Sequence, residues 1–333
     1  MKYLLSLFFL FFPFALSAQE YITIVSYNVE NLFDTEHDTL KNDHEFLSQS
    51  PRHWTRTKYW TKLNRLGQAI VSCTDGLHNS VVPDIVGLCE VENDTTLRDL
   101  TERSLLRKAK YKYIMTNSPD ERGMDVALLY SPFSFSPIHV DTLHIPSLKD
   151  MKPTRDILYV AGEILTGDTL HIFMLHAPSR SGGEFESRPF RLHVIKQLSN
   201  YIQTLFKQHP QANIIVMGDF NDYKNDASLH ELYALGLLNI STTAESKNGA
   251  KGTYKYNGLW ESLDHILISP HLKGNVTECR INDPLFLLEP DEKYGKMKPK
   301  RFYSGMRYNG GTSDHLPLVL QLFFVSNNQN IPN

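Results

Sequence analysis

Three cysteines in 333 residues are too few, and at Cys73, Cys89 and Cys279 too scattered, for a disulfide framework or a zinc site. Cys89 lies in an apolar run and reads as buried packing. Positive charge is not in excess either: 34 Lys and Arg stand against 37 Asp and Glu, a formal net charge of −3. Such a chain lacks the overall field that draws nucleic acid non-specifically, so any polyanion contact must be local. Internal repeats, low-complexity tracts and linkers are missing too. Beyond the first residues no second long apolar run occurs, which leaves no candidate membrane span in the remainder.

What is present begins with residues 1–18. Lys2 gives a basic start, Tyr3 to Leu16 is almost wholly apolar, and Ser17 and Ala18 precede Gln19. That is the layout of a secretory signal peptide, with an uncleaved anchor as the alternative. The expectation is an exported chain, periplasmic or secreted, with residues 19–333 forming one domain. At 41% hydrophobic and 21% charged it has enough apolar material for a substantial core.

The stretch Asn213–Asp222, NIIVMGDFND, organises the rest. Its apolar part is short and rich in β-branched residues, as a buried strand should be. Asp219 and Asn221 follow it, and the two-residue strand period lets them face one way while Phe220 packs inward. Gly-Asp and Asn-Asp are also ordinary turn signals. The same layout recurs elsewhere. ITIVSY (22–27) is followed by Asn28 and Glu30, again on one face by the two-residue period, and an apolar strand ending at Cys89 is followed by Glu90. A carboxylate at the mouth of an apolar strand is costly to bury unless it is paired or bound to a cation. The paired strands 158–164 and 170–175 lead into His176, DHILIS (264–269) opens on Asp264, and SDHLP (313–317) precedes the last strand.

Helical periodicity marks 58–73, 97–108, 186–208 and 227–237, while 241–252 and 289–311 read as loops. His37, His44 and His53 fall in a polar insertion without metal-ligand spacing and read as solvated. Strands alternating with helices make an α/β domain, and apolar runs alone allow parallel or antiparallel sheets.

In this order, SYNVEN, CEVEN, HAPS, GDFND, LDHIL and SDHLP resemble the endonuclease/exonuclease/phosphatase superfamily over residues 21–325. The resemblance implies a four-layer α/β/β/α sandwich, two mostly antiparallel sheets packed face to face with helices outside. It implies metal-dependent phosphoester hydrolysis, with Mg²⁺ expected and Mn²⁺ or Ca²⁺ as alternatives. Glu90, Asn28, Glu30 and Asp314 then belong to the metal, and His176, Asp219, Asn221, Asp264 and His315 to catalysis. Asp264 is expected to partner His315. Without the resemblance, His176 reads more readily as a hydrogen-bonded turn residue than as a catalytic one, and Asp264 as an ordinary acid at a strand edge.

Arg122, Arg155 and Arg180 stand beside strand ends and are candidate phosphate clamps, since a guanidinium presents a planar fork to phosphate oxygens. Basic residues from Lys293 to Arg307 interleave with Tyr294, Phe302, Tyr303 and Tyr308, a pattern that holds phosphates and stacks bases. Against it, Glu92 stands where deoxyribonuclease-type relatives carry a basic residue for DNA. The expectation is a phosphodiesterase acting on nucleic acid, most of all an endonuclease, with no stable protein partner. The alternatives are a phospholipid or small-phosphoester hydrolase of the same fold, for which FLLEP (286–290) is a slight apolar hairpin, and a non-catalytic binding protein.

Overall fold

Alternating apolar side chains build two six-stranded sheets. The computed structural model describes residues 19–77 and 81–325, and the predicted signal segment, 1–18, lies outside them. In the first sheet, β1 (Gln19–Leu32), β2 (Ile85–Val91), β3 (Lys112–Met115) and β4 (Asp125–Tyr130) join Val276–Ile281 and Leu318–Val325. In the second, β5 (Phe135–Leu143), β6 (Ile157–Ile164), β7 (Thr169–His176) and β8 (Asn213–Asp219) join Asp264–Ile268 and Leu238–Asn239. Each sheet contains one parallel pair, β1 with β2 and β7 with β8. The other neighbours run antiparallel, the direction that apolar runs alone had left open.

Successive strand residues divide between two cores, as the two-residue period requires. Ile172, Met174, Ile215, Met217 and Ile266 face the first sheet and pack with Ile24, Leu128 and Leu320. Their neighbours Phe173, Leu175, Ile214, Val216 and Leu267 turn the other way, onto Ile195, Leu198 and Ile202 of the long helix Glu184–Gln208. Helix α1 (Arg56–Ser72) buries Leu63, Leu66 and Ile70 in the core that includes the first sheet. The sheets approach closely at Gly87, where a Cβ would lie 2.5 Å from Met174 Sδ and 2.7 Å from Met217 Cε.

Several elements depart from the periodicity. The helix expected over 97–108 is broken into Asp94–Arg98, a π turn at Asp99–Arg103 and a 3₁₀ turn at Leu105–Lys108. Thr101 and Ser104 hydroxyls there bond back to the Leu97 and Leu100 carbonyls, competing with the regular ladder. The helix expected over 227–237 stops at Tyr233, and the expected loop 289–311 contains two small hairpins. Cys73, Cys89 and Cys279 are all free, and Cys89 is buried as its apolar setting implied. Among the described residues no helix is long and apolar enough to cross a membrane.

Gly218 is the tightest point of the second sheet. Its φ is +138°, and a Cβ there would run into the Leu175 carbonyl oxygen of the adjacent strand. Gly218→Ala is therefore expected to cost roughly 3 kcal/mol or more, because rigid backbone must shift. Urea unfolding of the variant beside the parent checks this; a loss below ~1 kcal/mol contradicts the packing described.

Candidate active site

Register does the first part of the assembly. His176 on β7 pairs with Asp219 on β8, and Asp219 pairs in turn with Asp264, so three polar residues form a row across three strand ends. The first sheet supplies the facing wall. Asn28 pairs with Cys89, next to Glu90, and its amide donates to Asp219 Oδ2 at 3.0 Å and to Glu90 Oε1 at 3.2 Å. One side chain thus links the two sheets at the open end of the seam between them.

Bulges do the second part. Pairing slips between Asn28 and Leu32 and between Cys89 and Val91. Glu30 and Glu90 take φ values of 50° and 68°, and Asn221 takes 51°. Left-handed backbone costs a non-glycine residue on the order of 1 kcal/mol and re-aims its side chain out of the pleat. Glu90 is held in this position by the Asn31 amide, 2.8 Å from its Oε2. Asn221 is held by its own amide donating to Asp219 Oδ1 at 2.8 Å and by its side chain on the Ala177 carbonyl at 3.1 Å.

A cleft of about 770 Å³ opens above these residues, lined by Glu90, His176, Asp219, Asn221, Asp314 and His315. Asp264 sits behind it: His315 Nδ1 lies 2.7 Å from Asp264 Oδ2, and Thr253 Oγ1 donates to the same oxygen at 2.6 Å. Burial works against charge on His315, but the charge and hydrogen bond of Asp264, with Asp219 and Asp314 nearby, raise its pKa well above the ordinary value. His176 is driven the other way, by burial and then by the positive charge of Arg155 and Arg122. The cleft therefore holds one charged and one neutral imidazole near neutrality, with His176 Nε2 3.7 Å from Asp219 Oδ2.

Not every expected residue reaches the cleft. The two-residue period set Glu30 on the face of Asn28, but the bulge turns it toward Arg301 Nε at 3.3 Å and the Phe302 amide at 2.8 Å. Arg301 also donates to Asp314 at 2.7 Å, so Glu30 supports Asp314 from behind. Arg122 and Arg155 both line the cleft. Arg155, however, is buried against Asp120 at 3.1 Å and donates to the carbonyls of His176 and Ala177, which fixes the loop carrying His176. Arg180 is engaged by Glu184 and Asp226 over the Tyr223 ring, outside the cleft lining. Of the three expected clamps, Arg122 alone is exposed at the cleft wall.

Three residues gave no sequence signal strong enough to find them. Tyr254 lines the cleft with its ring centroid 5.0 Å from that of His315. Lys62, fully buried on α1, donates to the Thr312 carbonyl at 3.1 Å. Burial lowers its pKa to about 8, against the upward pull of Glu30, Asp314 and Glu90. Thr253 braces Asp264. A basic residue in a helical repeat and a Thr-Tyr pair in a loop are too common to stand out.

The site is rich in acid. Burial and the charge of Asp264 raise Asp219, and burial and the charge of Asp314 raise Glu30. Asp264 Oδ1 has no partner. Carboxylate oxygens gathered in this way suit a hard divalent cation, whose charge would relieve their repulsion. Glu92, by contrast, faces inward. Its Oε2 accepts the Asp34 amide at 2.7 Å, so its acidity bears on the loop after β1 and not on DNA.

Opposed sheets with acids and imidazoles gathered at one end of their seam define a phosphoester hydrolase. Over residues 23–323 the chain matches the Endonuclease/Exonuclease/phosphatase family, and it belongs to that family. Members generally use a divalent metal ion, which the donor set described here fits. Solved structures share the fold. A mannosyl-6-phosphatase from Bacteroides thetaiotaomicron is 18% identical at a TM-score of 0.60, with 91% of this chain and 100% of that one covered. The human Nocturnin catalytic domain with bound sulfate is 16% identical at 0.56, covering 93% and 97%. Truncated TDP2 from Caenorhabditis elegans is 18% identical at 0.56, covering 91% and 98%. A curated relative, Genetic interactor of prohibitin 5 from Kluyveromyces lactis, is 25% identical over 124 residues, which is 37% of this chain and 40% of that protein's length.

Two expectations follow from the electrostatics. Glu92 is raised from 4.5 to about 8 by burial and then by Asp34. Its folded pKa exceeds the unfolded one, so its contribution is complete below pH 4.5 and is lost as pH rises through about 8. Glu92→Gln cannot ionise, so its melting temperature should exceed the parent's at pH 9 and match it at pH 5; parallel curves contradict this. Asp264→Asn keeps an acceptor for Thr253 and His315 but removes the charge. The His315 titration followed by NMR should then move down, with ~2 kcal/mol or less of stability lost. An unmoved His315 titration removes the dyad.

Proposed function

We propose that this chain hydrolyses phosphoesters with a compact alcohol or head group, with Mg²⁺ as the cation and Mn²⁺ or Ca²⁺ as substitutes. The observation that carries this reading is the cleft itself. Its volume of about 770 Å³ falls in the range of small-molecule sites, and it gathers both imidazoles with Glu90, Asp219 and Asp314. A cation held by Glu90, with Asp314 beside it and Asn28 setting the Glu90 carboxylate, would offset charge on the phosphoryl oxygens. Asp219 and Asn221 orient the attacking water, and Asp219 accepts its proton. His315, kept charged by Asp264, presents Nε2–H to a phosphoryl oxygen or to the departing alkoxide. Neutral His176 binds the phosphate from the other side, joined by Arg122 at the rim.

The endonuclease reading drew on the basic, aromatic stretch before His315. In the structure Phe302 and Tyr303 are buried beside Trp54, Lys298 faces Glu289 at 3.6 Å, and Arg301 is committed to Glu30 and Asp314. These side chains support the fold and the site, which weakens support for a surface that tracks a duplex. A nucleic acid presenting a terminal phosphoester remains within the proposal. One observation favours a lipid head group as the second reading: the hairpin Tyr254–Tyr256 and Leu259–Glu261 exposes Tyr256 and Leu259 immediately beyond Tyr254. Residues 1–18, with the layout of a signal peptide, support placing the activity outside the cytoplasm.

The test is an assay of the mature chain, with Mg²⁺ and with EDTA, on sugar phosphates, end-phosphorylated oligonucleotides, sphingomyelin vesicles and supercoiled plasmid. Turnover of compact or terminal esters, abolished by EDTA and reduced roughly 100-fold or more in Asp219→Asn, is expected. Efficient plasmid nicking with the other substrates untouched would restore the endonuclease. Inertness toward every ester across divalent metals would favour a binding protein.

A further inference from the structure

The polar insertion after β1 gathers two imidazoles and a carboxylate well apart in role from the cleft. His37 Nδ1 sits 2.5 Å from Asp43 Oδ1, and the His37 and His44 rings lie 4.5 Å apart at an angle of 33°. One ligand atom from each of His37, Asp43 and His44 falls within 4.8 Å of the other two. Asp43 is buried, and its second oxygen accepts the Asp38 amide at 2.7 Å, which fixes the carboxylate in place. Both histidines face solvent.

We propose that His37, Asp43 and His44 form a second metal site, one that takes a divalent ion of the zinc class with water completing the coordination. Two imidazoles and a carboxylate are a borderline donor set that suits such an ion, unlike the oxygen-rich cleft. Bonds of about 2.0–2.1 Å in a tetrahedron separate ligand atoms by ~3.3 Å. Reaching that spacing requires the His37–Asp43 contact to open by less than ~1 Å and the exposed His44 ring to turn inward. Sequence spacing concealed the set because a loop, not a helix or a paired strand, brings position 37 back to 43 and 44.

Its location gives the ion something to hold. Lys41 and Asn42 lie between the ligands in the chain. Lys41 Nζ donates to the carbonyls of Ser118 and Asp120, each at 2.9 Å, and the Asn42 amide donates to the Glu121 carbonyl at 2.8 Å. Asp120, Glu121 and Arg122 form part of the cleft wall. An ion bound by residues 37, 43 and 44 therefore closes the loop that pins this wall. The site positions and does not touch the reacting atoms.

The experiment titrates Zn²⁺ into metal-stripped protein against a colorimetric zinc indicator, with Mg²⁺ saturating. The parent and Glu90→Gln should each bind one ion, and His44→Ala should bind at least ~10-fold more weakly while melting with the stripped parent. Hydrogen exchange should slow on Zn²⁺ addition over residues 34–47 and 117–123 in the parent and Glu90→Gln, and not in His44→Ala. Undiminished binding in His44→Ala, or no binding by the parent at micromolar Zn²⁺, overturns the site. Loss in Glu90→Gln alone also overturns it, by assigning the ion to the cleft.

Discussion

The hydrogen bonds of Asn28 hold together the chemistry of this protein. Its side-chain amide nitrogen reaches Asp219 on one sheet and Glu90 on its own, while its side-chain oxygen Oδ1 accepts the Glu30 backbone amide at 3.0 Å. The residue is buried, so each of these bonds acts in a medium where an unpaired polar group is costly. Two sheets packed by apolar side chains alone have freedom to slide. A buried amide shared between carboxylates on opposite sheets removes that freedom at the end of the seam where chemistry is concentrated.

Around that bond the site balances surplus acid with cations that sequence inspection would assign to the surface. Lys62 from α1 and Arg301 from the loop before the last strand lie beside Glu30 and Asp314, and neither points into the cleft. Behind the opposite wall, Arg155 neutralises Asp120 and fixes the His176 loop through backbone carbonyls. The result is a graded field: one imidazole charged beside carboxylates, another kept neutral by burial and by the arginines beside it. Groups of one type are thereby given different protonation states by their neighbours, as acid–base chemistry at neutral pH requires.

Particular residues show how far local pattern carries. His176, Asp219 and Asp264 were visible as polar residues bounding apolar runs, because a strand must leave its core at a polar residue. Phe220 inward with Asp219 and Asn221 at the cleft matches the expected alternation, although Asn221 lies beyond the strand and reaches the cleft through left-handed backbone. Glu30 did not follow, since a bulge breaks the period that placed it. Arg155 and Arg180 looked like cations awaiting phosphate and Glu92 like an acid set against DNA, yet each is satisfied by partners 21 to 58 residues away, with Glu184 beside Arg180 as well. The aromatic residues near 302 looked like a base-stacking surface and are packing against Trp54.

Sequence by itself determined the chemical inventory: the strands that carry the site, which of them end in acids or imidazoles, and that the order of those motifs belongs to a phosphoester hydrolase; the strands Phe135–Leu143 and Val276–Ile281 were not among those it marked. These are short-range properties, set by a two-residue period and by the cost of burying charge. Apart from the Asp264–His315 pair, which the resemblance implied, tertiary structure decided which groups meet. Asn28 joins Asp219 across 191 residues, Arg301 joins Glu30 across 271, and Tyr254 comes to lie against His315. Contacts of that range depend on sheet pairing, on bulges that rotate single residues, and on loops folded over the seam, and no local periodicity encodes them.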